Sequence, residues 1–254
     1  MNWREALREW FADPMTCVGF FTRLPVPHGT PSKSFADSLR AAPIAGLVIA
    51  ICGALVFWLA SRLGLPSTVA AALALSATML VTGCLHEDGL ADVADGFGGG
   101  KTRERKLEIM RDSRIGTYGV AALALSILLR WSALAALLTP SDVFAALVAA
   151  HMAARGLLPA FIASVSAARP DGLSANVGEI ASTSVLIAAV LGFLALLLLG
   201  LGAAIVMAIV LAILLVLLKR LCERQIGGQT GDVLGLVEQA SEITVMLAAC
   251  IAFR

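Results

Sequence analysis

The sequence predicts an all-α fold: a polytopic integral membrane bundle of about seven transmembrane helices. Of its 254 residues, 59% are hydrophobic and only 15% are charged, whereas a soluble domain usually carries about 25% charged residues. So few charges cannot solvate the surface of a soluble domain, and so many apolar residues exclude a disordered chain. The abundant small residues suit helices that pack closely within a bilayer.

Seven apolar segments are long enough to be considered as spans, because a helix needs about 20 residues to cross the hydrocarbon core. The stretch 183–218 is too long for one span, and Gly200 and Gly202 in its middle predict a tight turn. The chain shows no internal repeat or low-complexity linker, so we expect a single transmembrane domain over 1–254. The predicted spans are 41–61, 66–85, 117–138, 142–163, 183–199, 203–218 and 233–253.

The distribution of lysine and arginine predicts the orientation. With these spans, 15 of the basic residues fall on the side that contains the N-terminus and the segment 86–116, and 2 fall on the other side. Because cytoplasmic segments carry the excess of basic residues, the N-terminus and the segment 86–116 are expected in the cytoplasm. The C-terminus is expected outside.

Arg130 lies deep in the third predicted span, where an unpaired charge is costly. Either it faces the bundle interior with an acidic partner, or the span ends close to it. The neighbouring Trp131 is typical of a membrane interface, and we therefore favour the second interpretation.

The segment from His86 to Gly116 holds 13 of the 37 formal charges. Asp88, Asp92 and Asp95 are spaced i, i+4 and i+7, which places them on one face of a helix. Three neighbouring carboxylates repel one another unless a cation lies among them, and oxygen ligands favour Mg²⁺ or Mn²⁺. A solvated acidic face is the simpler alternative, but the cluster directly continues an apolar span, which favours a metal site.

A glycine-rich run from Gly96 to Gly100 follows these acids, and basic residues follow from Lys101 to Arg114. Glycine-rich backbone can surround a phosphate with its amides, and arginines beside a metal can bind the remaining oxygens. Together these features predict a diphosphate site, although the basic residues also serve as the positive-inside signal. Arg111 and Arg114 are the preferred candidates, since they lead directly into the next span.

A second polar cluster, 227–232, opens the last predicted span. Thr230 and Asp232 are candidate N-caps of that helix. Glu238 and Glu242, spaced i and i+4 within the span, should face the bundle interior. They could supply further metal ligands or pair with Arg130 or Arg155.

Two histidines, one directly after a predicted span and one within a span, are weaker candidates for a functional role. A lone histidine at a membrane boundary is more often a hydrogen-bonded structural residue, and this is the simpler interpretation of His86 and His151. The position of His86 beside the acids also allows it to carry a proton near neutral pH.

Several motifs resemble those of the cobalamin synthase family of bacteria and archaea. The runs at 85–99 (LHEDGLADVADGFGG) and 109–119 (IMRDSRIGTYG) are long and specific. The shorter runs 21–27, 155–159 and 227–232 match further motifs of that family. The resemblance spans essentially the whole chain.

The resemblance implies a Mg²⁺-dependent transferase in the cell inner membrane, with its catalytic loop at about 86–116. The donor would be adenosylcobinamide-GDP and the acceptor α-ribazole or α-ribazole 5′-phosphate, with release of GMP. Lipid is an expected surrounding and nucleic acid is not an expected partner. Association with other cobalamin-assembly enzymes and a homo-oligomer are both compatible with the sequence.

The same resemblance assigns roles to particular residues. The expected metal ligands are Glu87, Asp88, Asp92 and Asp95. The expected catalytic residues are Asp95, Glu87 and His86, with the division between base and ligand left open. The expected substrate-binding residues are Gly98, Gly99, Lys101, Arg111, Asp112, Arg114, Arg155, Thr230, Asp232, Glu238 and Glu242.

Two rival functions remain open from the sequence. A membrane phosphotransferase or prenyltransferase acting on a lipid diphosphate would share the acidic helix. The run Asp92–Gly96 also matches the opening of the CDP-alcohol phosphotransferase motif, but the rest of that motif is missing. A transporter could use Glu238 and Glu242 to bind a coupling ion, although no inverted repeat is visible.

Overall fold

The computed structural model describes residues 3–26, 34–172 and 177–254, with side chains from residue 12 onward. This part of the chain is almost entirely helical and contains no strand beyond one isolated bridge, between Ala167 and Gln229. The α-helices are α1 Trp3–Phe21, α2 Phe35–Ser38, α3 Ala42–Arg62, α4 Ser67–Thr82, α5 Leu85–Gly99, α6 Arg103–Ile109, α7 Thr117–Ala136, α8 Pro140–Ser164, α9 Ser182–Leu196, α10 Leu201–Ile226 and α11 Gly231–Ala252.

The predicted membrane bundle is confirmed. Within the described ranges, six helices are long and apolar enough to cross a bilayer alone, and the bent pair α4–α5 raises the count to seven. Each apolar segment found in the sequence corresponds to one helix, from α3 to α11. The break between α9 and α10 falls at Gly200, whose φ of +92° few other residues would adopt.

Helix α4 is short, at 16 residues, or about 24 Å. Its first turn lies beside the end of α7, where the Trp131 indole donates a 2.8 Å hydrogen bond to the carbonyl of Thr68. Its last turn lies beside the end of α1, where the Arg23 amide donates to the carbonyl of Val81. α4 therefore runs along the bundle, and the chain then bends by 88° into α5.

The charged segment 86–116, expected from the sequence to be a loop, is largely helical. α5 supplies its first part and α6 its middle. Asp95, near the end of α5, accepts hydrogen bonds from the amides of Gly116 (2.7 Å) and Gly119 (2.8 Å). This carboxylate satisfies amides at the start of α7, which otherwise have no partner, and so ties the two ends of the segment together.

The preferred interpretation of Arg130 was wrong. α7 continues to Ala136, and the Arg130 side chain is only 1% exposed. It pairs with Glu87 of α5 and Glu242 of α11. The alternative, an interior arginine with acidic partners, is the one the structure adopts, because two helices distant in sequence bring carboxylates to it.

Helix α8 lies at the centre of the bundle, against α3, α9 and α11. Small residues permit this close packing: a methyl group added at Gly156 would lie 2.8 Å from the carbonyl oxygen of Ala188 in α9. The crossing of α5 and α11 is equally tight, since a methyl at Gly89 would lie 2.7 Å from the Asp232 carbonyl oxygen. The acids of these two helices are therefore brought together.

The cysteines play no cross-linking part in this fold. All five, at positions 17, 52, 84, 222 and 250, are free.

Candidate active site

Two polar regions meet where α5 crosses α11. We call the first the buried ionic cluster and the second the acidic rim. The acidic rim consists of Asp88, Asp92 and Asp232. The buried ionic cluster consists of His86, Glu87, Arg130, His151, Arg155, Glu238, Gln239 and Glu242.

Arg130 organises one half of the buried ionic cluster. Its Nη1 donates to Glu87 Oε1 at 2.9 Å and to Glu242 Oε1 at 3.1 Å. The other oxygen of Glu242 lies 3.1 Å from His151 Nδ1. The Gln239 amide donates to Glu87 Oε1 at 3.5 Å and accepts from the Ser126 hydroxyl at 2.9 Å. These contacts lock α5, α7 and α11 together around one guanidinium.

Arg155 organises the other half. Its Nη1 lies 2.6 Å from Glu238 Oε1, an ion pair by distance without the alignment of a hydrogen bond. The same guanidinium approaches the Nδ1 atoms of His151 at 3.2 Å and His86 at 3.3 Å. His86 Nδ1 also lies 3.4 Å from Glu238 Oε2. Arg155 thus links α8 to α5 and α11.

This pairing decides what the cluster can do. Charges removed from water are tolerated only when they are paired and hydrogen-bonded, and both arginines here have carboxylate partners. His151, Glu238 and Glu242 have ligand atoms within 4.8 Å of one another, the one such triplet among the described residues. A cation in this triplet would face two guanidinium groups that already neutralise the carboxylates, so the surrounding charge disfavours a metal there, although the ligand types are ones that metals bind.

The acidic rim has the opposite character. In the described ranges, no hydrogen bond or ion pair engages the side-chain oxygens of Asp88 or Asp92, and Asp88 is exposed. Asp232, at the start of α11, lies near enough to both for their charges to interact. Its Oδ2 accepts from the Thr230 hydroxyl at 3.1 Å. Thr230 is the N-cap of α11, as its position predicted.

Arg169 also lies at the acidic rim, although it was not predicted from the sequence to be a site residue. Its Nη2 lies 3.3 Å from Asp232 Oδ2, while its Nε and Nη1 are buried without a hydrogen-bond partner. The segment before it is held by hydrogen bonds from Ala168 N to Gln229 O and from Gln229 N to Ser166 O. In the sequence, Arg169 could not be distinguished from an ordinary positive-inside residue.

The four expected metal ligands are not brought together as one set. Asp88 and Asp92 lie at the rim, whereas Glu87 is held by Arg130 and Asp95 by the start of α7. Consecutive residues of a helix point in different directions, so Glu87 and Asp88 enter different environments. Arg155, Glu238 and Glu242, expected to bind substrate, belong to the buried ionic cluster.

The glycine-rich end of α5 lies away from the rim. Gly98 is six residues beyond Asp92, the nearer rim acid of the same helix, or about 9 Å along the helix, and it packs against the Tyr118 ring. Gly99 and Lys101 are exposed at the same end. The structure does not bring these three expected phosphate-binding residues to the acidic rim.

The arginines that follow α6 are exposed. Arg111 pairs with Asp171 at 2.6 Å, close to the segment that carries Arg169. Arg114 pairs with Asp112 through two side-chain hydrogen bonds, and these bonds lower the pKa of Asp112 to about 2. The positive charge of Arg111 also acts on the Asp232 carboxylate. Of the two arginines, Arg111 is therefore the one associated with the acidic rim.

An apolar cavity of about 520 Å³ opens beside the rim. We call it the phenylalanine cavity, because three phenylalanines of α1 and α2 form one wall. Its other apolar lining comes from α5, α8 and α11, and its polar side chains are those of His86, Asp88 and Asp232. The lining includes Phe20, Phe21, Phe35, Leu39, Leu158, Ile162 and Leu234.

Comparison with known proteins gives a consistent picture. The chain matches the family described as cobalamin-5-phosphate synthase over residues 13–250. No solved structure matches it. It is 53% identical over 246 residues to the adenosylcobinamide-GDP ribazoletransferase of Mesorhizobium japonicum, covering 96% of this chain and 95% of the relative.

Two further relatives carry the same name. The protein from Bradyrhizobium diazoefficiens is 55% identical over 248 residues, with the same coverage of both chains. The protein from Azorhizobium caulinodans is 45% identical over 255 residues, with 96% of this chain and 97% of the relative covered. The resemblance found in the motifs is confirmed, and the chain belongs to the cobalamin-5-phosphate synthase family.

Proposed function

We propose that this protein is an adenosylcobinamide-GDP ribazoletransferase. A ribose hydroxyl oxygen of α-ribazole or its 5′-phosphate bonds to the phosphorus on the corrinoid's aminopropanol arm. The bond between that phosphorus and the bridging oxygen breaks, GMP leaves, and the hydroxyl proton passes to a base. The observation that carries the proposal is the acidic rim of a chain that belongs to this family. Two of its carboxylates have no partner among the described residues, and they lie beside a cavity and beside Arg169, which has two unpartnered nitrogen atoms.

The rim fits a magnesium ion. Mg²⁺ usually takes one or two carboxylates, keeps several waters and completes its shell with substrate phosphates. Asp88 and Asp92 are the carboxylates available, since Glu87 and Asp95 are already engaged. When bound there, the metal would neutralise charge on the phosphate oxygens of the donor.

Arg169 and Arg111 are the proposed phosphate-binding side chains. The Nε and Nη1 atoms of Arg169 are unpartnered, and separate anionic phosphate oxygens would satisfy them while balancing the charge that develops in transfer. Arg111 can leave its exposed pair with Asp171, because such pairs contribute little.

His86 is the proposed proton acceptor. Its ring lines the cavity beside Asp88, and its Nδ1 faces Glu238 Oε2. This role requires the tautomer in which Nδ1, lying between Arg155 Nη2 and Glu238 Oε2, carries the proton, so that Nε2 can accept the proton of a hydroxyl group. Asp95, the alternative base, has both oxygens occupied by backbone amides.

The rim is proposed to face the cytoplasm of a cell whose inner membrane holds the bundle. The basic residues of the segment 86–116 and of the N-terminal segment support this orientation. Both substrates are large, polar molecules, and a site open to the cytoplasm gives them access without crossing the bilayer.

The test uses the purified full-length protein in detergent. It is incubated with adenosylcobinamide-GDP and α-ribazole 5′-phosphate, with Mg²⁺ or with EDTA, and GMP and corrinoid product are quantified. We expect GMP and product in equal amounts with Mg²⁺, and none with EDTA. Glu108→Gln, an exposed acid of α6 paired with Arg105, should retain wild-type turnover and Asp92→Asn should lose it. Folded wild-type protein that releases no GMP would overturn the proposal.

A further inference from the structure

We infer that the phenylalanine cavity binds the aromatic base of the acceptor, and that the corrinoid of the donor stays outside it. This inference rests on the proposed function and names where one of its two substrates lies. The side chains that contact the acceptor base would then come from α1, α2, α8 and α11. The proposed phosphate-binding arginines lie outside these helices.

The size of the cavity separates the two substrates. Ligands of some 20 non-hydrogen atoms, such as α-ribazole, occupy pockets of about 300–1,000 Å³, and the cavity has about 520 Å³. The donor joins a complete corrinoid to a nucleoside diphosphate and is several times larger. The cavity can therefore enclose the acceptor nucleoside, while the donor must lie over its mouth.

The lining matches a flat, methylated, uncharged bicyclic ring. The Phe20 ring contacts those of Phe21 and Phe35, at centroid distances of 4.9 Å and 4.7 Å, with mutual angles of 88° and 54°. Aromatic walls at such angles offer a ring both faces and edges. Leu158 and Ile162 of α8 add aliphatic surface to the lining.

The cavity is also polar at one end only. His86, Asp88 and Asp232 are its charged or titratable side chains, and they lie at the α5–α11 crossing. A nucleoside has the same asymmetry, with an apolar base and hydroxyl groups on the ribose. With the base in the apolar part, the ribose lies against His86 and Asp88, where the proposed reaction needs its hydroxyl.

A lipid tail is the competing occupant, since the cavity lies in a membrane protein. A tail would fill the apolar part but would leave His86 and Asp88 unused. The aromatic wall and the polar end together favour the nucleoside.

The test fills the cavity without changing its polar end. Ile162, half-buried in α8, is replaced by tryptophan, and Leu186→Trp on the exposed face of α9 is the matched control. The Kd of α-ribazole is measured by equilibrium dialysis, and the KM of each substrate by GMP release. Ile162→Trp should raise the Kd and the acceptor KM at least about tenfold, corresponding to 1.4 kcal/mol, with the donor KM unchanged. Leu186→Trp should change neither.

A second variant covers the case in which Ile162→Trp fails to fold. Phe20→Ala removes one aromatic wall from a side chain that is 38% exposed, and should raise the Kd of α-ribazole several-fold. Wild-type turnover with an unchanged acceptor Kd in both variants would overturn the inference and leave the proposed function standing. A rise in the donor KM alone would place the corrinoid in the cavity and also overturn it. Absence of both α-ribazole binding and GMP release in folded wild-type protein would overturn the function itself.

Discussion

Acidic residues of the same two helices, α5 and α11, have opposite environments in this protein. Glu87 is buried against Arg130, while the next residue, Asp88, is exposed and unpaired among the described residues. On α11, Glu238 is enclosed with Arg155, while Asp232 lies at the rim beside Arg169. The difference teaches that the acids enclosed between helices hold the bundle together, whereas the rim acids, of which Asp88 and Asp92 have no partner among the described residues, are the ones proposed for chemistry.

The largest effect on stability is expected at Arg130. Arg130→Leu leaves Glu87 and Glu242 buried without their common cation, and breaking a buried pair typically costs about 3–5 kcal/mol. Thermal unfolding in detergent should show a large fall in Tm. Arg62→Leu, at an exposed helix end, is the control and should leave Tm nearly unchanged. A wild-type Tm in Arg130→Leu would mean that the cluster does not hold the helices together.

The reverse pattern is expected at the rim. Asp92→Asn should keep the wild-type Tm, because no contact among the described residues depends on this carboxylate. Its kcat should fall at least about a hundredfold, the scale seen when a group that stabilises transition-state charge is removed. Measuring Tm and kcat on the same preparation checks both parts. A fall in Tm with kcat retained would reverse the assignment of the two regions.

An intermediate effect is expected at Asp95. Asp95→Asn weakens two charged hydrogen bonds to the start of α7, which is expected to cost about 1–3 kcal/mol. Hydrogen exchange should speed up locally at residues 116–120, while the Mg²⁺ concentration for half-maximal rate should not change. A shift in that concentration with unchanged exchange would make Asp95 a metal ligand, as the sequence motif implied.

The smallest effect is expected at the exposed pair of Asp112 and Arg114. The pKa of Asp112 in the folded protein is lowered to about 2, below its usual value of about 3.9. The pair's contribution is therefore present above pH 4 and is lost as the pH falls towards 2. Asp112→Asn should unfold like the wild type at pH 2 and be marginally less stable at pH 6. A difference that grew as the pH fell would contradict this sign.

Local sequence signals predicted the helices well, and the pairing of Glu238 and Glu242 with the interior arginines was one of two alternatives that they left open. Each span could be found from its own run of apolar residues, and Asp88 and Asp92 from their i, i+4 spacing. The sequence could not decide between the two positions considered for Arg130, because its partners are 43 and 112 residues away and depend on which helices pack together. Arg169 was not predicted, because its position also depends on a contact between distant segments. The bridge between Ala167 and Gln229 holds the segment before Arg169 beside the start of α11.

The phenylalanine cavity had no sequence signal. Its walls come from five helices, and aromatic residues near an apolar segment are ordinary in a membrane protein. The family motifs pointed to the acids but could not divide them, because a motif records which residues occur together and not which arginine each one contacts.

The most direct test of this division is Mn²⁺ binding, followed by electron paramagnetic resonance on the full-length protein in detergent without substrates. Mn²⁺ replaces Mg²⁺ at oxygen-rich sites. The wild type and His151→Gln should bind Mn²⁺ alike, and the double variant Asp88→Asn, Asp92→Asn should lose the signal of the bound ion. Loss of that signal in His151→Gln, with binding retained in the double variant, would contradict the account and place the metal inside the buried ionic cluster.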